Sequence, residues 1–294
     1  MRSDAAARAS ELRALRVPFV HARVVLAERP TSAKPGDEAI VLADGTMEGF
    51  VGGSCAESTV RAQALALLDS HESLLLRITA APDVEHPGKL VVHNPCLSGG
   101  SLEIFLQPVV PAPLVVVIGD TPIAHALAAI GERLGYEMAH GTGPIPHDAS
   151  AVVVASHGRD EEAALSAALI ADVSYVGLVA SRTRGQAVVE SLDVCASRRA
   201  AVHTPAGLDI GASTPEEIAL SILAEIVASR PRPSGRAVPN EDSKVAERAV
   251  DPVCGMEVAM VDASLHLDHD GTRWWFCGSG CLRAFAATPD TYTS

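Results

Sequence analysis

Aromatic residues are scarce in this 294-residue chain, at 3% of positions, and half of them lie after residue 250. The earlier cores must therefore be assembled mostly from Ala, Val, Leu and Ile. Cationic side chains are also few: 23 Lys and Arg stand against 36 Asp and Glu, a net charge of −13. Such a surface repels phosphate backbones and anionic lipid, which argues against nucleic acid or a membrane surface as partner. Long hydrophobic runs are missing too. The most apolar stretches, 113–119 and 218–228, are too short, or are interrupted by Glu225, to span a bilayer. The opening MRSDAAARASELRAL carries charges every few residues and no apolar core, so a secretory signal is not expected. A cytoplasmic location is the resulting expectation, with cysteines kept reduced. Six cysteines then point to metal binding, sulfur chemistry or core filling ahead of disulfides.

What is present is a globular composition, 48% hydrophobic and 20% charged, punctuated by 23 Gly and 19 Pro. Residues 4–16 read as a helix ended by Pro18. Strands are expected at 19–27, 39–42 and 46–51, then a helix from Cys55 to about Leu68, then strands at 74–79, 90–93 and 102–107. Pro108, Pro111 and Pro113 mark a hinge. From Leu114 the pattern becomes strand–helix alternation, the signature of a doubly wound parallel sheet. Residues 231–250 are rich in Pro, Ser and charge without periodicity and read as a linker. The expected organisation is a small α+β domain over 1–110, a Rossmann-like domain over 111–230, the linker 231–250 and a small module over 251–294.

Several turns could carry chemistry. Val51-Gly52-Gly53-Ser54-Cys55-Ala56-Glu57 places paired glycines before a helix, where bare backbone amides suit an anion and the helix end favours a Cys55 thiolate. Glu57 could cap free amides or act as a base. The alternative is an ordinary strand-to-helix turn with Cys55 as core filler. Cys96-Leu97-Ser98-Gly99-Gly100 repeats the pairing of a thiol with a glycine turn. If the two turns converge, they form a sulfur-lined anion pocket. Gly119-Asp120-Thr121-Pro122-Ile123-Ala124 stands where a dinucleotide fingerprint belongs, but Thr121 replaces its second glycine and the ribose-binding acid about 20 residues on is absent. NAD chemistry is therefore not expected, although a phosphate could rest at Thr121. Loops holding His157, Arg182, Arg184 and Asp209 follow other strands and could line a crevice, with arginine for phosphate and His157 for proton exchange.

The last module holds Cys254, then Cys277 and Cys281 four residues apart across a strand-to-helix turn. The three thiols can reach one ion, with zinc or Cu(I) favoured by their softness and His266, His269 or solvent as a fourth ligand. About 44 residues bury little core, so an ion or docking onto a larger body would help this module fold.

These strings carry a resemblance. Residues 18–230 resemble the XdhC/CoxI family of accessory proteins for molybdenum hydroxylases, meaning xanthine dehydrogenase and carbon monoxide dehydrogenase. The likeness rests on residues 51–57 and 96–100, on Tyr175-Val176-Gly177-Leu178-Val179-Ala180-Ser181-Arg182, and on the run from Pro205-Ala206-Gly207-Leu208-Asp209-Ile210-Gly211-Ala212 to Glu225-Ile226. Residues 251–292 resemble a YHS domain, related to the TRASH heavy-metal motif and treble-clef-like, with Cys254, Cys277 and Cys281 matching its cysteines and Phe285, Pro289 and Tyr292 its tail. The resemblance implies a maturation chaperone rather than an enzyme. Such a factor binds molybdenum cofactor, as molybdopterin or its cytosine dinucleotide form, and protects it during sulfuration. It then delivers the cofactor to the large chain of the apo-enzyme, with a cysteine desulfurase and a homodimer as further expected partners. The cofactor site would draw on Gly52, Gly53, Ser54, Cys55, Glu57, Cys96, Gly99, Gly100, Gly119, Thr121, His157, Arg182 and Asp209, and the metal site on Cys254, Cys277 and Cys281. A second reading is delivery of Cu(I) or Zn through the YHS cysteines. The fused YHS domain departs from the common family layout.

Overall fold

The computed structural model describes residues 2–81, 84, 87–94, 100–141, 143–230 and 247–293. By contact the chain divides into two compact units, Met1–Pro111 together with Pro233–Ser294, and Ala112–Arg232. The last module thus packs with the amino-terminal part rather than standing as a separate body.

The amino-terminal part runs α1 (Arg2–Ala14), β1 (Phe19–Glu28), β2 (Glu38–Leu42), β3 (Met47–Gly49), α2 (Ser54–Ser70), β4 (Leu74–Thr79), β5 (Leu90–His93) and β6 (Ser101–Val109). Its six-stranded sheet has the order β3-β2-β1-β6-β4-β5, antiparallel except for the parallel β4–β5 pair. Alternation along β1 turns Val20, Ala22 and Val24 inward, where with Ile104 and Leu106 they meet Ala56, Val60 and Ala64 of α2. Small residues on the helix let it lie close to the sheet, which is how an aromatic-poor sequence still closes a core.

The second unit comprises β7 (Leu114–Ile118), α3 (Pro122–Arg133), β8 (Glu137–His140), β9 (Ala149–Val154), α4 (Glu161–Ile170), β10 (Tyr175–Leu178), α5 (Arg182–Ser191), α6 (Ala196–Arg199), β11 (Val202–His203) and α7 (Pro215–Ser229). The sheet order is β11-β10-β9-β7-β8, with every pair parallel. Every residue of β7 is buried, as its unbroken apolar run requires when helices cover both faces. One face packs against α3 and α7, the other against α4 and α5. This is the expected doubly wound sheet. It adds α6 and the edge strand β11, which is too short to leave a pattern in the sequence.

The carboxy-terminal module contains β12 (Arg248–Val250), β13 (Glu257–Ala259), β14 (Leu265–His269), β15 (Thr272–Phe276), α8 (Ser279–Ala287) and a single 3₁₀ turn, Pro289–Thr291. The end of the expected linker is therefore strand: Arg248–Val250 pairs antiparallel with β13. Residues 231–246 lie outside the described residues. β14 and β15 form a hairpin whose Asp270 and Gly271 both take positive φ, 49° and 76°, as a two-residue turn of this hand demands. Among the described residues no helix is long and apolar enough to cross a membrane.

Candidate functional site

In the second unit the loops that follow β9, β10 and β11 line an open cavity of about 640 Å³. His157 comes from the first loop, Arg182 from the second and Asp209 from the third, so three residues singled out in the sequence share one cavity wall. All lie at the carboxyl ends of parallel strands, where the open ends of βα units leave a crevice. Ser181 caps α5, its hydroxyl accepting from the Arg184 amide at 3.4 Å, which sets Arg182 in the first helical turn beside the cavity. A cation and the positive end of a helix thus face the same space.

Two carboxylates hold these loops, Glu161 buried and Glu225 half-buried, and neither is singled out by the sequence as a site residue. Glu161, 1% exposed, accepts from the Gly158 amide at 2.8 Å and from the Arg184 guanidinium, tying the His157 loop to α5. Arg184 also donates to the Val179 carbonyl at 3.1 Å, so it braces the wall that it helps to line. Glu225 accepts from Tyr175 Oη at 2.6 Å and from the Gly207 amide at 2.8 Å, with His203 Nδ1 at 3.1 Å. Burial pushes Glu225 up, but those three partners together hold it below the ordinary carboxylate range. Gly207 has φ +104°, and a side chain there would strike Ser221, so only glycine lets this loop pass over α7.

Gly119 and Thr121 are not among the residues lining the cavity. The Thr121 hydroxyl accepts from the Ala124 amide at 3.2 Å and caps α3, while Gly119 is pressed against the Ala155 carbonyl where no Cβ fits. Their local geometry is explained by helix capping and close packing of β7 on the β9 loop.

In the first unit, Gly52 is buried with φ +147°, and Gly53 takes the position before α2 with no side-chain cap. Gly53 and Ser54 are exposed and Cys55 is half-buried. The Cys55 carbonyl accepts from Thr59 Oγ1 at 3.1 Å and from Asn94 Nδ2 at 3.1 Å. Asn94 is fully buried and closes β5, two residues before Cys96 in the sequence. Cys96 and Gly99 lie outside the described residues; Gly100, with φ +77°, packs against the Glu28 and Pro30 carbonyls. Burial raises the Glu57 carboxyl above its ordinary range, with Arg61 pulling it back.

The carboxy-terminal module brings Asp251, Cys254, Cys277 and Cys281 together, their ligand atoms all within 4.8 Å of one another. Cys277 Sγ lies 3.5 Å from Cys254 Sγ and 3.7 Å from Cys281 Sγ. An ion bonded to sulfur at about 2.3 Å in tetrahedral geometry sets sulfurs about 3.8 Å apart, so the spacing fits a thiophilic ion. Asp251 is fully buried, its Oδ2 accepting from the Cys277 amide at 2.8 Å and its Oδ1 from the Val253 amide at 2.9 Å. A hydrogen bond from Cys277 draws the Cys254 thiol down to about 6, and the same contact, with burial, pushes Cys277 up. His266 and His269, suggested as fourth ligands, are outside this group: His266 Nδ1 lies 2.9 Å from the Ser264 carbonyl and His269 stands edge-on to Phe285. Asp251 was missed because a lone Asp before Pro reads as a turn residue. Among the described residues no cysteine forms a disulfide.

Comparison with known proteins adds three domain matches. Residues 12–79 match the XdhC and CoxI family, residues 115–226 the XdhC Rossmann domain, and residues 249–294 the YHS domain. An uncharacterized protein of Escherichia coli, YqeB, is 28% identical over 250 residues, 74% of this chain and 45% of its own length. A Bacillus subtilis protein described as a probable xanthine dehydrogenase subunit is 34% identical over 87 residues, 30% of this chain and 25% of its own. The chain therefore spans less than half the length of these curated relatives. A crystal structure described as a xanthine dehydrogenase from Bacillus halodurans aligns at 16% identity with a TM-score of 0.36, covering 77% of this chain and 96% of that one.

Proposed function

From the premise that this is an XdhC and CoxI family chain carrying an XdhC Rossmann domain and a YHS domain, we propose that it is an accessory factor in the maturation of a molybdenum hydroxylase. In this reading it holds molybdenum cofactor, assists its sulfuration and passes it to an apo-enzyme of the xanthine dehydrogenase or carbon monoxide dehydrogenase type. It performs no turnover of its own. The observation that carries this reading is the cavity into which His157, Arg182 and Asp209 converge. Its volume, about 640 Å³, falls among those of small-molecule sites.

The residues fit a phosphate-bearing heterocycle. When bound, the cofactor supplies a molybdenum centre and a pterin with a terminal phosphate. Arg182 and the start of α5 would hold the phosphate, and Asp209 would accept from ring N–H groups. Glu161 and Glu225 position the loops from behind. Cys55, with Cys96, is the thiol pair that would accept sulfur in the amino-terminal part. A cysteine desulfurase is the matching sulfur source, and the large chain of the apo-enzyme the recipient.

The test is purification from a cofactor-producing host, followed by oxidation and pterin fluorescence. Wild-type protein should carry pterin, and Arg182→Ala should carry several-fold less. Pterin-free wild-type protein, with client activity unchanged on gene deletion, overturns the reading.

A second reading rests on the three clustered thiols, which suit delivery of Cu(I) or Zn to the same class of client. Replacing Cys277 and Cys281 by Ser should then block client activation while pterin loading persists.

A further inference from the structure

The carboxy-terminal module does not merely hang beside the amino-terminal sheet; it lies along α2. Ala259 is buried with Ala62 and Leu65, Arg248 Nη2 donates to the Ala62 carbonyl at 3.3 Å, and Val261 fills the space over Gly45. At the start of the same helix, Cys55 packs on the module's core cluster, which contains Cys277 and Cys281. A Cβ on Gly278 would stand 3.2 Å from both Cys55 Sγ and Ser54 Oγ. Gly278 is extended, with φ −166°, so it is room rather than backbone freedom that calls for a small residue there. These contacts run from Ser54 to Leu65, about 16 Å along the helix axis. They fix Cys55 against the residue that directly follows Cys277.

We propose that Cys55 and the three clustered thiols form one track for a thiophilic ion, along which Cu(I) passes from Cys254 of the carboxy-terminal module onto Cys55 of the amino-terminal domain. This deepens the metal-delivery reading and rests on it; it does not depend on the cavity of the second unit. The step is a ligand exchange without redox. A copper–sulfur bond to Cys55 forms as the bond to Cys254, the least buried thiol of the cluster, breaks. The Cys55 proton leaves to solvent, the departing Cys254 sulfur takes one back, and copper remains Cu(I). Cys277 and Cys281 hold the ion throughout, so it is never released to water. Cys55 is suited to receive it because hydrogen bonds from Thr59 and Asn94 pin its backbone, leaving only the side chain to swing.

The experiment is anaerobic alkylation of the full chain, read cysteine by cysteine by mass spectrometry, with and without one equivalent of Cu(I) added as its acetonitrile complex. Cu(I) should slow alkylation of Cys55 along with the three cluster cysteines by about tenfold, since a metal-bound thiolate is withheld from the reagent. Exposed Cys195, in the other unit, should keep its rate. Protection of Cys254, Cys277 and Cys281 with Cys55 unchanged overturns the track and leaves metal delivery standing. Protection of none of the four overturns both. X-ray absorption supplies a second readout: Cys254→Ser should retain three sulfur neighbours around copper, with Cys55 stepping in, and a count of two rejects the proposal.

Discussion

Asn94 Nδ2 donates to the Cys55 carbonyl at 3.1 Å, joining residues 39 apart in the chain and fastening the end of β5 to the start of α2. The same amide group lies 3.3 Å from Thr59 Oγ1. The end of β5 and the first turn of α2 are thus rooted at one point. Asn94→Ala should cost about 2 kcal/mol, the penalty of stranding buried hydrogen-bonding groups. Urea unfolding checks the cost, and Cys55 should alkylate faster in the variant because its helix end is loosened.

The two arginines near the cavity should separate cleanly. Arg182 is exposed and has no ion-pair partner among the described residues, so Arg182→Ala should leave the melting temperature unchanged and weaken ligand binding. Arg184→Ala removes the cation from buried Glu161 and should cost about 2 kcal/mol of unfolding free energy. Parallel thermal melts and ligand titrations check the pair.

Glu225 makes a pH prediction. Its carboxyl is held below the ordinary range in the folded state, so the native state binds its proton less readily than the unfolded one. That stabilisation is complete above the unfolded value and is lost as pH falls through the folded one. Glu225→Gln should therefore flatten the acid limb of stability against pH, by a fraction of a proton. Chemical unfolding between neutral pH and the acid range reads the slope.

Asp251 should matter to metal and fold together. Asp251→Ala strands the Cys277 and Val253 amides and frees the cysteine turn to reorient. Affinity for Cu(I) or Zn should fall about tenfold or more, as it does when groups that orient metal ligands are removed. Chelator competition measures this. Adding the ion at 100 times its dissociation constant should stabilise the wild-type first unit by about 2.7 kcal/mol, and stripping it should reverse the gain.

Much of this was written locally. The unbroken apolar run of β7, the Thr-Pro start of α3 and the Asp270-Gly271 turn are short-range signals, and each element formed where its residues asked. The cysteine cluster was legible because Cys277 and Cys281 are four apart on a strand-to-helix turn. The supports were not. Glu161 reads as an acid in a first helical turn and Glu225 as an interruption in an apolar helix, since their partners Gly158, Arg184, Tyr175 and Gly207 arrive only through tertiary packing. Thr121 is legible as the start of a helix, and its hydroxyl does cap α3 by accepting from the Ala124 amide. Arg248–Val250 looked like linker because a three-residue strand has no period, and only pairing with β13 defines it.

The seat of the carboxy-terminal module on α2 has a consequence for how the polypeptide is put together. The chain leaves one body after Pro111 and is back in it by β12, so the Rossmann unit is spliced into a body that closes without it. An engineered cut between residues 231 and 246 should therefore yield two fragments that travel together, gripped by Ala259, Val261 and Arg248. Covalent fusion would then serve to fix a one-to-one stoichiometry, while recognition between the two pieces is already inscribed in their surfaces.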